Sequence, residues 1–161
     1  MKRRNNKLLG ACVALLCALN SCSDRPDDLL FKDFFVYVVD ENGLATSQIL
    51  STSDNLVITY YFNLVSETIS EPLTVNFDLV VGDGLQQGVD FNLQNDVRSI
   101  TFEPGIYKKP FRMNFKKHQL DPAKDNTIKI VITSTSDPNI TIGYPGPSAK
   151  FSSHTITKRN P

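Results

Sequence analysis

From about residue 32 onward the chain changes face at every second residue. This period of two constrains the fold more than any other feature, because a β-strand sends successive side chains to opposite sides. KKPFRMNFKKH (108–118) is the clearest instance, with Phe111, Met113 and Phe115 alternating with Arg112, Asn114 and Lys116. LVITYYFNLV (56–65) sets Leu56, Ile58, Tyr60, Phe62 and Leu64 on one face. LTVNFDLVV (73–81) sets Val75, Phe77, Leu79 and Val81 against Thr74, Asn76 and Asp78, and TIKIVITS (127–134) turns Ile128, Ile130 and Ile132 inward. DFFVYVV (33–39), SITFEPG (99–105, with Ile100 and Phe102 inward) and the closing segments NITIGY and KFSSHTIT supply further strands.

Turn signals separate these segments. Asn42-Gly43 is a strong hairpin signal, so SQILSTS (47–53) is expected as a short strand returning beside 33–39. Pro104-Gly105 and Asp137-Pro138-Asn139 mark later turns. No segment carries a capped stripe with a period of 3.6. The pattern predicts an all-β domain, a single sandwich of about seven to eight antiparallel strands. A closed barrel is the alternative, but it would need a lumen for the polar faces and more even strands.

The first residues read differently. Lys2, Arg3, Arg4 and Lys7 precede an uncharged, mostly apolar run from Leu8 to Leu19. A secretory signal has a cationic front and an apolar core of about 7–15 residues, whereas a spanning helix needs about 18 or more. The run therefore predicts an export signal, with a short inner-membrane anchor as the alternative. It ends in Leu19-Asn20-Ser21-Cys22, which resembles a bacterial lipobox although Asn20 is larger than the usual residue there. That resemblance implies cleavage between Ser21 and Cys22, a diacylglyceryl thioether on the Cys22 thiol and acylation of the new amino end. Leu9-Gly10-Ala11-Cys12 fits the local pattern too, but it leaves too little apolar chain before it. Each buried methylene contributes about 0.8 kcal/mol, and one acyl chain alone anchors only marginally; several chains on Cys22 would hold the protein in a bilayer.

Ser23 to Asp28, SDRPDD, is polar and contains Pro26. It reads as a tether reaching roughly 30 Å at about 3.3–3.6 Å per residue. It resembles the acidic signal that carries some Gram-negative lipoproteins to the outer face of the outer membrane, and it also reads as a plain solvated linker. The expected organisation is a leader over 1–21, a tether over 22–31 and a β-domain over 32–161.

Cleavage changes the charge balance. All 17 acidic residues lie beyond Ser21, while four of the 17 basic residues leave with the leader. A mildly acidic product argues against nucleic acid as a partner. Of the three cysteines, Cys12 and Cys17 also leave and Cys22 is lipidated, so no thiol remains for a disulfide, a metal or a nucleophile.

Between Leu73 and Ile132 the letters VNFDLVVGDG (75–84), GVDF (88–91), ITFEPG (100–105) and IKIVITS (128–134) resemble a Calx-beta domain. The resemblance implies an immunoglobulin-like sandwich, similar also to the lipoprotein domains of bacterial glycan-uptake loci. Some Calx-beta domains bind calcium at one end, and Asp83 and Asp90 match two acidic positions of that motif. Calcium needs six to eight oxygens. The chain places Lys116, Lys117 and His118 where further acids belong, so no cofactor is expected beyond the lipid on Cys22. Without calcium, the two aspartates read as turn residues.

No motif for catalysis appears. His118 and His154, the only histidines, sit beside no serine–acid arrangement and read as surface or edge residues. There is no phosphate loop and no nucleophile elbow. Lys108, Arg112 and Lys116, with Lys109 and Lys117 nearby, form a basic strand suited to an acidic glycan or anionic headgroups, or simply to a guarded sheet edge. Tyr61 is a candidate for sugar stacking, as are Tyr60, Tyr107 and Tyr144. Tyr60 also reads as core, and Tyr107 and Tyr144 as turn residues beside Gly105 and Gly143. The expected function is a non-catalytic surface lipoprotein, an accessory for glycan capture or adhesion. The runner-up is a structural or anchor subunit bound to an envelope protein in an outer-membrane or fimbrial assembly.

Overall fold

The computed structural model describes residues 33–43, 46–51 and 53–161. Those residues form ten strands and no helix. In chain order they are β1 (Phe35–Val39), β2 (Ser47–Ser51), β3 (Leu56–Val65), β4 (Leu73–Val81), β5 (Phe91–Leu93), β6 (Ser99–Phe102), β7 (Lys108–Phe115), β8 (Thr127–Thr135), β9 (Thr141–Ile142) and β10 (Ser153–Arg159). They make two five-stranded sheets, sheet A in the order β5-β7-β3-β1-β9 and sheet B in the order β2-β10-β8-β4-β6.

The period-two segments behave as their side chains require. On β3, Tyr60, Phe62 and Leu64 are buried; on β7, Phe111, Met113 and Phe115; on β8, Ile128, Ile130 and Ile132. Register aligns these rows, with Tyr60 opposite Phe111 in sheet A and Leu79 opposite Ile130 in sheet B. The inward faces of the two sheets share one core. Phe77 of sheet B meets Phe62 and Phe111 of sheet A, with ring centroids 4.9 and 4.8 Å apart. Such tilted and edge-on pairs add about 0.5–1.5 kcal/mol each beyond the area they bury.

Four expectations need correction. Asn42-Gly43 does not make a β1–β2 hairpin. Gly43 closes a turn by donating its N–H to the Asp40 carbonyl at 3.1 Å, but β2 then joins the other sheet, parallel to β10, while β1 pairs with β3. The turn is local chemistry, and partner choice is set by where the apolar faces can be buried. Second, the pairing is not wholly antiparallel, since β1·β9 and β10·β2 run parallel. Third, the described residues hold ten strands rather than seven or eight; β9 lies within the expected NITIGY segment, whereas β5, three residues long and too short to display a period, falls outside the expected strands. Fourth, Val81 is exposed rather than buried, at the last residue of β4, although it pairs in register with Ile128.

Candidate functional site

At one end of the two sheets, the loop after β4, the segment after β7 and the last strand converge. Gly82 and Gly84 make this possible. Gly82 donates its N–H to the Thr127 carbonyl at 2.8 Å, and Gly84 donates to the Asp125 carbonyl at 2.9 Å. A Cβ on Gly82 would run into the Asp125 carbonyl oxygen, and one on Gly84 into the Asn126 amide oxygen. Between them Asp83, exposed, accepts the Asp125 N–H at 2.9 Å. Its carboxylate therefore ties two loops together, the turn chemistry expected of aspartate.

Asp90 is buried close to β5. One carboxylate oxygen, Oδ2, accepts the Gln86 N–H at 2.9 Å. The other, Oδ1, lies 2.9 Å from His118 Nδ1 and 3.3 Å from Lys158 Nζ. Lys158 is itself buried, and its ammonium also donates to the Asp90 carbonyl at 3.2 Å and the Lys116 carbonyl at 2.9 Å. An ammonium has three donors, and all three are used. Burial pushes the Asp90 carboxyl up, but the Gln86 amide, His118 and Lys158 together outweigh it and hold the group below the usual carboxylate range. The lysine comes from β10 in sheet B, while its acceptors flank β5 and β7 in sheet A, so this cluster laces the two sheets at one end. Among the described residues no group of three or more His, Cys, Asp or Glu side chains is disposed to hold a metal ion.

Lys158 is absent from the sequence-derived candidates, and His154 was expected at the surface or an edge. Both lie on the inward row of β10, His154–Ile156–Lys158, and all three are buried. The His154 ring sits 5.1 Å from that of Tyr60, and its strand position is opposite Ile130. With a single apolar residue in the row, β10 gives no hydrophobic alternation. The one available signal was strand register: a lysine two residues after an inward isoleucine must point inward as well. Tyr60 is core, as expected; it is buried with its hydroxyl on Gln48 Oε1 at 3.1 Å, and burial holds its phenol well above the ordinary range.

The basic strand divides. Lys108 and Arg112 lie on the outer face of sheet A, in register with Asn63 and Thr59 of β3. Lys108 Nζ stands 3.9 Å over the Tyr61 ring, a cation–π contact. Lys116 does not share that surface as an unengaged cation, because its ammonium donates to the Gly88 carbonyl at 2.6 Å. Tyr107 is half-buried beside β7. Tyr144 is 40% exposed and belongs to an aromatic group at the β1 edge of sheet A. Its ring lies 4.9 Å from Phe35, 5.1 Å from Tyr37 and 5.0 Å from Phe151. The strand edge holds Phe151, whose carbonyl accepts the Val38 N–H at 2.9 Å while its own φ is +63°. A bulky side chain in that left-handed region is strained, and ring packing together with the edge hydrogen bond offsets the strain.

Ser21, Cys22, the leader and the tether lie outside the described residues. Comparison with protein-family models found no match, and comparison with curated proteins found none.

Proposed function

We propose that the chain is a non-catalytic, lipid-anchored recognition module of the outer membrane, facing outward. The leader over 1–21 would direct export, acylated Cys22 would hold the bilayer, and residues 22–31 would tether the β-domain. The finer fold assignment, an immunoglobulin-like sandwich of the Calx-beta kind, rests on the resemblance between Leu73 and Ile132, and the two-sheet layout with a shared core supports it.

The observation that carries the functional reading is a division of charged groups. Asp90, His118 and Lys158 are engaged with one another and with the backbone, an arrangement suited to holding sheets together rather than to moving protons. Lys108 and Arg112, by contrast, project from a sheet face beside tyrosines. Such a face is suited to recognition.

A second reading is favoured by the edge of sheet B. There β2 pairs only with β10, and Ile49 is 61% exposed. An open edge strand is a template for pairing with another chain, as an anchor subunit of an envelope assembly would require. The experiment is a glycan array probed with the detergent-solubilised protein, run beside affinity capture from envelope extracts. Glycan retention with uncut glycans recovered supports the first reading. Capture of a defined envelope protein with a blank array supports the second, and cleaved glycans contradict both.

A further inference from the structure

We propose that the outer face of sheet A is the binding surface and that its ligand is an acidic glycan, one carrying carboxylate or sulfate groups. This rests on the reading of the chain as a binding module and names the ligand class and the place. Register sets the face out in rows. Tyr37 of β1, Asn63 of β3 and Lys108 of β7 form one row, Tyr61 and Pro110 the next, beside a buried Val39, and Thr59 with Arg112 a third. Neighbouring strands lie about 4.8 Å apart, so the first row spans about 10 Å, the scale of a short oligosaccharide.

Charge complementarity selects an anion. None of the five strands of sheet A contains an aspartate or glutamate, while the face projects Lys108 and Arg112. Sheet B is mixed, with Asp78 on β4, Lys129 on β8 and Arg159 on β10. Arg112 also borders a hollow of about 230 Å³ beside β7, lined in part by Gln94, Asn95 and Pro110. That is below the roughly 300–1,000 Å³ of drug-sized pockets, so it suits one substituent of a longer ligand lying across the face. A guanidinium beside two amides is the chemistry that receives a carboxylate or sulfate.

Hydrogen-bonding groups favour a glycan over a membrane surface. A face that lies in a bilayer presents bulky apolar residues to enter the acyl boundary. Here Thr59, Asn63 and Asn114 stand among the cations and tyrosines and exchange hydrogen bonds with hydroxyls, while the exposed apolar residues of the face, Val57 and Val65, are two small valines toward opposite ends of β3. Tyr144, partly exposed and braced by Tyr37 and Phe151, adds a rigid ring edge at the far side of the row.

The test is calorimetric titration of the full chain in neutral detergent with polygalacturonate oligomers, heparin oligomers, neutral glucan oligomers of matched length and phosphatidylglycerol vesicles. At least one acidic oligomer is expected to bind at least tenfold more tightly than the glucan, more weakly as salt rises. K108Q/R112Q is expected to lose at least tenfold in affinity with an unchanged thermal midpoint, and Tyr144→Ala to lose affinity for the same ligand. Equal affinity for the neutral glucan overturns the acidic assignment while leaving a glycan-binding module. Undiminished binding by K108Q/R112Q overturns the location. Binding to vesicles and to neither acidic oligomer overturns the ligand class in favour of a membrane. A blank with every glycan here and on the array overturns the module reading as well.

Discussion

Lys158 Nζ lies 3.3 Å from Oδ1 of Asp90, with the two side chains only 1% and 3% exposed. The lysine sits on the penultimate residue of the last strand, and the aspartate immediately precedes β5 in the opposite sheet. The contact joins positions 68 residues apart in the chain, and it does so with charge.

Removing the cation alone should be severe. Lys158→Met leaves the Asp90 carboxylate buried without its ammonium and removes the ammonium's hydrogen bond to the Lys116 carbonyl, while the Asp90 carbonyl keeps the Lys116 N–H. Breaking one side of a buried pair costs about 3–5 kcal/mol, a large part of a typical domain's 5–15 kcal/mol. The expected outcome in urea titration is a loss in that range for Lys158→Met. A smaller loss is expected for the double variant Lys158→Met with Asp90→Asn, which removes both charges. Equal losses in the two proteins would show that the pair is not the source.

The same cluster sets a pH dependence. The folded Asp90 carboxyl lies below its ordinary value, so the unfolded chain takes up a proton first as pH falls. Asp90 therefore contributes stability that is fully present above the unfolded pKa of about 3.9 and is lost as pH drops through the lower, folded value. Urea midpoints measured from pH 6 to pH 2 should fall more steeply for the parent protein than for Asp90→Asn at the acid end. Parallel curves would remove Asp90 from the account.

Close loop approach at the same end predicts an asymmetry between two glycines. The Cβ of Gly82→Ala meets the backbone carbonyl of Asp125, which cannot step aside without moving the strand start, whereas that of Gly84→Ala meets the end of the Asn126 side chain. Overpacking of this kind costs about 1–3 kcal/mol. Thermal unfolding should place Gly82→Ala below Gly84→Ala, and the reverse order would mean that the Asn126 amide is the more rigid of the two neighbours.

How much of this was legible in the sequence depended on side-chain alternation. β3, β7 and β8 were readable because isoleucine, phenylalanine and leucine recur at every second position and only one face can be wet. β10 was expected as a strand from KFSSHTIT, but its inward face was not readable, because that row spends two of three places on His154 and Lys158, whose burial is made tolerable only by partners distant in sequence. The Asn42-Gly43 turn was legible as a turn but not as a crossing between sheets, since a turn fixes four residues and not the partner of the strand that follows. Asp90 was singled out as an acid at the end of the domain. That a lysine more than sixty residues later would supply its counter-charge is long-range information that no local pattern carries. Lys116 stood in the same alternation as Lys108 and Arg112, but β7 ends at Phe115, and beyond it the period no longer decides where a side chain goes.

The most direct test of the central claim, an outward-facing module fixed by lipid at Cys22, is intact mass spectrometry of the protein from membrane fractions, read together with protease treatment of intact cells. The account predicts an amino terminus at Cys22 bearing a diacylglyceryl thioether and an N-acyl chain, with the β-domain removed by external protease. An unmodified Cys22, or an acylated chain wholly protected on intact cells, would contradict it.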